Sequence, residues 1–212
     1  ATLTFFLMNM VPGGPFLSEK AISPQATAAL EAKYGLDKPL WQQYLTYMAG
    51  ASHGDFGDSL KQRGRTVMDI ITMKFPVSAR VGGVSVLVAL LLGVPLGCIA
   101  ALKRGKFLDN LISVVSTCGI AVPSFVICTL LLYFFGVRLQ ILPTMGLTSW
   151  KHYVMPVMAL AFYPTAYIMR LMRSSMLDVL GQDYMRTAKA KGLAGGKILF
   201  KHALRNAILP VI

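Results

Sequence analysis

The chain has 212 residues, 55% of them apolar and only 14% charged, a balance that excludes an ordinary soluble domain and points to a membrane protein. Its net charge of +12 would suit a nucleic-acid binder, but eleven of the 21 Lys and Arg residues fall in two short segments, Lys103 to Lys106 and Arg170 to Arg205, and membrane topology accounts for them better. Cys98, Cys118 and Cys128 all lie in apolar runs, which argues against disulfides or a zinc site.

In chain order, residues 1–11 are apolar but only about half the length that crosses a bilayer core of ~30 Å. They read as the outer half of a first transmembrane helix, with chain expected to precede them. Residues 12–77 mix charges of both signs and read as a solvated insert with short helices over Pro24 to Tyr34 and Pro39 to Met48. Trp41, Tyr44 and Tyr47 form an aromatic stripe that packs on the rest of the insert, rests at headgroup level or meets a partner. Asp55-Phe56-Gly57 matches a kinase metal-binding triplet, but none of the other kinase motifs accompanies it. It reads as a turn.

Residues 78–102 form the second expected span: the apolar run Val81 to Leu102 would reach about 33 Å as a helix. Lys103, Arg104 and Lys106 crowd the loop 103–107, which puts it inside and the insert outside. The third span, 108–135, carries Asp109 near its start and Pro123 near its middle, where a kink is expected because proline cannot donate to the carbonyl of Gly119. Residues 136–152 read as an outer loop and 153–169 as a fourth span interrupted by Pro156 and Pro164. Ser116, Thr117, Pro123, Ser124, Tyr163 and Thr165 are the candidates for polar lining of a pathway.

Residues 170–206 are basic and return to the inside, and 207–212 begin another apolar run, with chain expected to follow. Ser174 to Ala190 can form one helix, ended by Gly192, Gly195 and Gly196. In a second helix Lys197, Lys201 and Arg205 would share one face, with Phe200, Leu204 and Ile208 on another. Small residues at Ala188, Ala190 and Gly192 leave the elbow backbone open to close approach from outside.

Catalytic chemistry is hard to assemble. His53, His152 and His202 fall outside, outside and inside on this topology, so they form no metal cluster. Gly195-Gly196-Lys197 lacks both the Ser or Thr and the first glycine of a phosphate loop. The chain is not expected to hydrolyse ATP or to hold a cofactor of its own.

The stretch from Asp183 to Pro210 resembles the EAA loop of permease subunits in bacterial ATP-binding-cassette importers, in the branch that carries oligopeptides, dipeptides and nickel. Arg186-Thr187-Ala188 stands at the Glu-Ala-Ala position, Gly192 follows, and Ile208-Leu209-Pro210 closes the motif. Arg186 replaces the family's Glu, and the interval from Gly192 to Ile208 is longer than in the generic loop. Pro12-Gly13-Gly14-Pro15, Glu31-Ala32-Lys33-Tyr34-Gly35-Leu36, Gly54-Asp55-Phe56-Gly57 and Phe75-Pro76-Val77-Ser78-Ala79 are similar to stretches of the same branch.

The resemblance implies an all-α, polytopic bundle in the bacterial cytoplasmic membrane. It implies a second permease subunit, ATPase subunits that bind ATP and Mg, and an extracytoplasmic substrate-binding protein as partners, with lipid around the bundle and no nucleic acid. Asp183, Tyr184, Arg186, Thr187, Ala188, Ala190, Gly192 and Leu193 are the residues it implies for ATPase coupling. The expected cargo is a dipeptide or oligopeptide, with nickel or a glutathione-type substrate as the alternative. A channel or secondary transporter would need intramembrane charge or an ion-coordinating helix break; a scaffold would need only the basic loop.

Overall fold

A computed structural model describes residues 2–10, 35–59, 62 and 64–212, and the chain divides into two compact units, residues 1–77 and 78–212. Every regular element among the described residues is helical, as an all-α membrane protein requires. An isolated bridge between Asp58 and Thr66 lies outside them.

In the first unit, α1 (Thr2–Met10) packs on α2 (Leu40–Ser52). The ring of Phe5 lies edge-on to Tyr44 at 5.5 Å and stacks on Tyr47 at 6.0 Å, and Thr2 Oγ1 meets the Tyr44 hydroxyl at 2.9 Å. The aromatic stripe of α2 therefore packs on the first apolar segment, leaving Trp41 exposed. The helix expected over Pro24 to Tyr34 lies outside the described residues. Gly57 turns the chain at φ +76° and donates its N–H to Asp55 Oδ1 at 2.9 Å, so Asp55-Phe56-Gly57 forms a turn.

A reciprocal cap then starts α3 (Val67–Leu102): Thr66 N–H donates to Asp69 Oδ2 and Asp69 N–H to Thr66 Oγ1, each at 3.1 Å. The helix thus begins well before the apolar run. From Ser78 onward, its buried residues are Ser85, Ala89, Gly93, Gly97, Ala100 and Ala101. All are small and recur at about one turn, so the seam admits a neighbouring backbone.

That neighbour is α6 (Lys151–Leu180). Ser85 Oγ donates to the carbonyl of Val157 at 3.3 Å. A Cβ at Gly93 would stand 2.6 Å from Ile168 Cγ2, and one at Gly97 would stand 2.7 Å from the Met169 carbonyl. Ala101 shares a cluster with Met172 and Met176. Partners rise together along both helices, so α3 and α6 run parallel. The chain between them must travel back along the bundle.

It does so through α4 (Phe107–Ala121) and α5 (Ser124–Leu131), the latter continuing as a π-helical stretch over Leu132–Arg138. The expected single third span with a kink is instead two helices at 101°. Val122 and Pro123 are both extended, at ψ 123° and 141°, because proline lacks the N–H and also drives the preceding residue out of the helical region. Taken together, the broken pair is long and apolar enough to count as one further span. Two described helices, α3 and α6, are long and apolar enough to span a bilayer unaided.

The fourth span also differs from expectation. Pro156 and Pro164 lie inside α6 without interrupting its 30 residues, which extend about 45 Å. Burial of Met155, Val157, Ala159, Ala161 and Ala166 around the prolines holds the helix where two backbone bonds are missing. The helix ends at Leu180, so the expected helix from Ser174 to Ala190 is broken: Gly181 and Gln182 precede α7 (Asp183–Ala190).

Candidate functional site

The basic segments gather at one end of the second unit. Ala101, just before Lys103, Arg104 and Lys106, is buried in the same cluster as Met172, Met176, Met185, Ala188, Ile198, Ala203 and Ala207. The C-terminal ends of α3 and α6 thereby form a platform on which residues 183–207 sit. Met172 and Met176 are fully buried there, and unbranched methionine fills the irregular space between helices that meet at an angle.

On α7 the sequence DYMRTAKA turns Met185 and Ala188, three residues apart, onto the platform and leaves Asp183, Tyr184, Arg186, Thr187 and Ala190 exposed. Ala188 is only 7% exposed. It therefore anchors the helix to this chain, in contrast to the docking contact expected of it. Asp183 and Arg186 form a surface pair at 3.5 Å, of a kind worth about 0–1 kcal/mol.

The elbow is a complete C-terminal cap. Gly192, at φ +70°, donates its N–H to the Lys189 carbonyl at 3.0 Å, and Leu193 donates to the Ala188 carbonyl at 3.3 Å. This is the double bond pattern that closes a helix through a left-handed glycine. Leu193 packs onto the cluster beside Ala188, whereas a Cβ at Gly192 would meet nothing within 4 Å. The outer side of the elbow is open backbone.

Residues 195–207 form the second helix, so Gly195 and Gly196 open it instead of ending the first, and its middle, Ile198–Leu204, is π-helical. The extra residue per turn resets its faces. Ile198, Ala203 and Ala207 face the platform, while Phe200 is 68% exposed. The expected apolar face of Phe200, Leu204 and Ile208 is accordingly split, with Leu204 packed against the cluster and Phe200 outside it. Lys197, Lys201 and Arg205 are all exposed. Ser175 Oγ donates to the Ala207 carbonyl at 2.7 Å, tying this helix to α6, and Asn206 Nδ2 donates to the Tyr184 hydroxyl at 3.2 Å, tying it to α7.

Above the platform, α4 is fixed to α6 by an ion pair that the sequence pattern did not reveal. Arg173 grips Asp109 with two bonds, Nε to Oδ1 at 2.5 Å and Nη2 to Oδ2 at 2.9 Å. Asp109 also accepts from the Gly105 N–H at 2.9 Å, so one carboxylate ties the turn after α3 to the end of α6. Glycine again permits the approach: a Cβ at Gly119 would lie 2.6 Å from that of Ala166.

The pathway candidates separate. Ser116 and Thr117 line a groove of about 340 Å³ between α4 and α6, together with Ile112, Ser113, Met169 and Arg170. Pro123 makes the bend and Ser124 opens α5, both exposed. Tyr163 is exposed and stacks on Tyr167 at 6.5 Å, whereas Thr165 is partly buried and donates to the Ala161 carbonyl at 2.7 Å. Sequence reasoning missed Asp109, Arg170 and Arg173 as partners across helices. The small residues at four-residue spacing along α3 were the readable signal for its packing seam.

Residues 93–212 match the family described as binding-protein-dependent transport system inner membrane component. The whole chain is 47% identical over 211 residues to the dipeptide transport system permease protein DppB of Bacillus subtilis, covering 68% of that protein. It is 42% identical over 213 residues to the oligopeptide transport system permease protein OppB of Salmonella typhimurium and 43% identical over 213 residues to that of Haemophilus influenzae. In both cases all of this chain aligns with 70% of the relative.

Proposed function

The chain belongs to the binding-protein-dependent transport system inner membrane component family, as a permease subunit of its peptide branch, and from that premise we propose that residues 183–207 couple it to a separate ATPase. Similarity to dipeptide and oligopeptide permeases supports a peptide as cargo and does not favour the nickel or glutathione alternative. The chain encloses half of the path, a second permease encloses the other half, and an extracytoplasmic binding protein delivers the substrate at the bacterial cytoplasmic membrane. ATP and Mg²⁺ belong to the ATPase subunits.

The observation that carries the coupling proposal is the anchored elbow. Its inner residues, Met185, Ala188 and Ala203, are buried against the ends of α3 and α6, while Tyr184, Arg186, Thr187, Ala190 and Gly192 are exposed. A displacement imposed on the outer face therefore passes to both long helices as a rigid-body tilt. Leu193 supports the turn from within. The bend at Pro123 and the hydroxyls of Ser116 and Thr117 lie where such a tilt changes access along α4, with Ser124, Tyr163 and Thr165 as the weaker pathway candidates.

Replacing Gly192 tests the docking. Asn tolerates the left-handed backbone better than other side chains, so Gly192→Asn keeps the turn while adding bulk outside, and Gly192→Trp adds more. Both variants are expected to stay in the membrane and lose ATPase copurification and substrate-stimulated hydrolysis, Trp more than Asn. Full copurification and unchanged stimulation in both would refute docking at the elbow.

A further inference from the structure

We propose that Arg170, held over the groove between α4 and α6 by Thr117, is a contact for the C-terminal carboxylate of a peptide in transit; this rests on the reading of the chain as half of a peptide path. Two arginines stand one turn apart on α6, and their surroundings differ. Arg173 is neutralised by its two bonds to Asp109. Arg170 has no carboxylate partner among the described residues: its Nη2 donates to Thr117 Oγ1 at 2.9 Å, and the side chain is exposed. Thr117 in turn donates to the Ser113 carbonyl at 2.8 Å, so its hydroxyl is fixed as an acceptor and orients the guanidinium.

The groove is suited to an anion. Its polar lining consists of the hydroxyls of Ser113, Ser116, Thr117 and Ser174 beside the two arginines, with Ile112 and Met169 as apolar wall. No acid lines it, and Asp109 is spent on Arg173. A guanidinium carries five N–H donors, most of which Arg170 leaves unused, and a carboxylate is the geometry that fills them in pairs. At about 340 Å³ the groove falls within the ~300–1,000 Å³ range of small-molecule sites.

The chemistry of a peptide then selects which of its carboxylates is held. Side chains vary from one peptide to the next, whereas the terminal carboxylate is present on every one. A contact to that group lets one path accept many sequences. Because the groove is open and the arginine exposed, the contact is weakened by water and reversible.

The test uses the assembled transporter in proteoliposomes, with both permeases, the ATPase subunits and the binding protein, and trialanine as probe. Arg170→Gln is expected to lower uptake by about tenfold or more, the size of one lost charge-assisted bond, while Arg170→Lys retains most of it. In parallel, a tripeptide with a benzophenone on its C-terminal residue is expected to label residues 112–117 or 169–174 during turnover. The same group on the N-terminal residue is expected to label elsewhere, and Arg170→Gln to abolish the C-terminal labelling. Undiminished uptake by Arg170→Gln, equal labelling from both ends, or loss of the second permease from the variant complex would overturn the inference, the last by assigning Arg170 to an acid of that partner. A wild-type complex that accumulates neither trialanine nor the labelled tripeptides would instead overturn the peptide-import reading on which the inference rests.

Discussion

Asp109 is the residue whose replacement has the most calculable consequence. Its carboxylate is 3% exposed and receives two bonds from Arg173, which is 31% exposed. Removing one partner of a buried pair costs ~3–5 kcal/mol, and the access of water to Arg173 reduces this to about 2–3 kcal/mol for Asp109→Asn. Arg173→Met leaves the buried carboxylate the Gly105 N–H and the Ser113 hydroxyl as donors, and should cost a similar amount. If the two groups act on each other, the double variant should lose about 3 kcal/mol, well short of the sum, leaving a coupling of about 2 kcal/mol. At ~2–4 °C per kcal/mol for a protein of this size, each single variant should lower the thermal midpoint of the detergent-solubilised complex by about 5–10 °C. The double variant should lie close to the singles. A double variant whose drop equals the sum of the two would show that the pair is not coupled, and would remove the proposed tie between the 103–107 turn and α6.

Gly97→Leu should be the most damaging single change in the α3–α6 seam, because a Cβ there already stands 2.7 Å from a backbone carbonyl and from Met172 Cβ; overpacking of ~1–3 kcal/mol or more should appear as loss of protein from the membrane, with Gly82→Leu, which faces open space, as the tolerated control. Ser175→Ala removes the 2.7 Å bond to the Ala207 carbonyl and should cost about 1 kcal/mol, seen as faster protease cutting within residues 181–207 while residues 78–170 remain protected. Pro123→Ala restores an N–H and relieves the restriction on Val122. It should lower peptide uptake severalfold with ATPase copurification retained, and unchanged uptake would show that the bend is dispensable.

Much of the second unit was legible because membrane helices are written in apolar length and loop charge. The runs before Lys103 and Arg170 stood out, and their basic flanks meet at one end through Ala101 and Met172. The glycine at the elbow was legible too, since only a left-handed residue closes the cap that Lys189 and Ala188 accept. Proline misled in both directions. Pro123 broke a helix expected merely to kink, whereas Pro156 and Pro164 sit within one expected to be interrupted, and the difference lies in the packing around each, which no local signal records. The π-helical turn over Ile198–Leu204 shifted the faces, so that Phe200 and Leu204, one face at a period of 3.6, are parted: Leu204 packs on the cluster and Phe200 is exposed. Asp109 and Arg173 are far apart in sequence, and each alone reads as a charge at the end of a span.

The central claim is that the exposed face of the elbow touches an ATPase that moves it. In an assembled complex without native cysteines, Thr187→Cys is the direct reporter, paired by a short bifunctional reagent with single cysteines on the ATPase surface. The account predicts a cross-linked product whose yield changes between nucleotide-free and ATP-trapped states, and no product from Met185→Cys, which faces the platform. An active complex in which residue 187 reaches no ATPase cysteine in any nucleotide state, or remains open to membrane-impermeant thiol reagents from the binding-protein side, would contradict it.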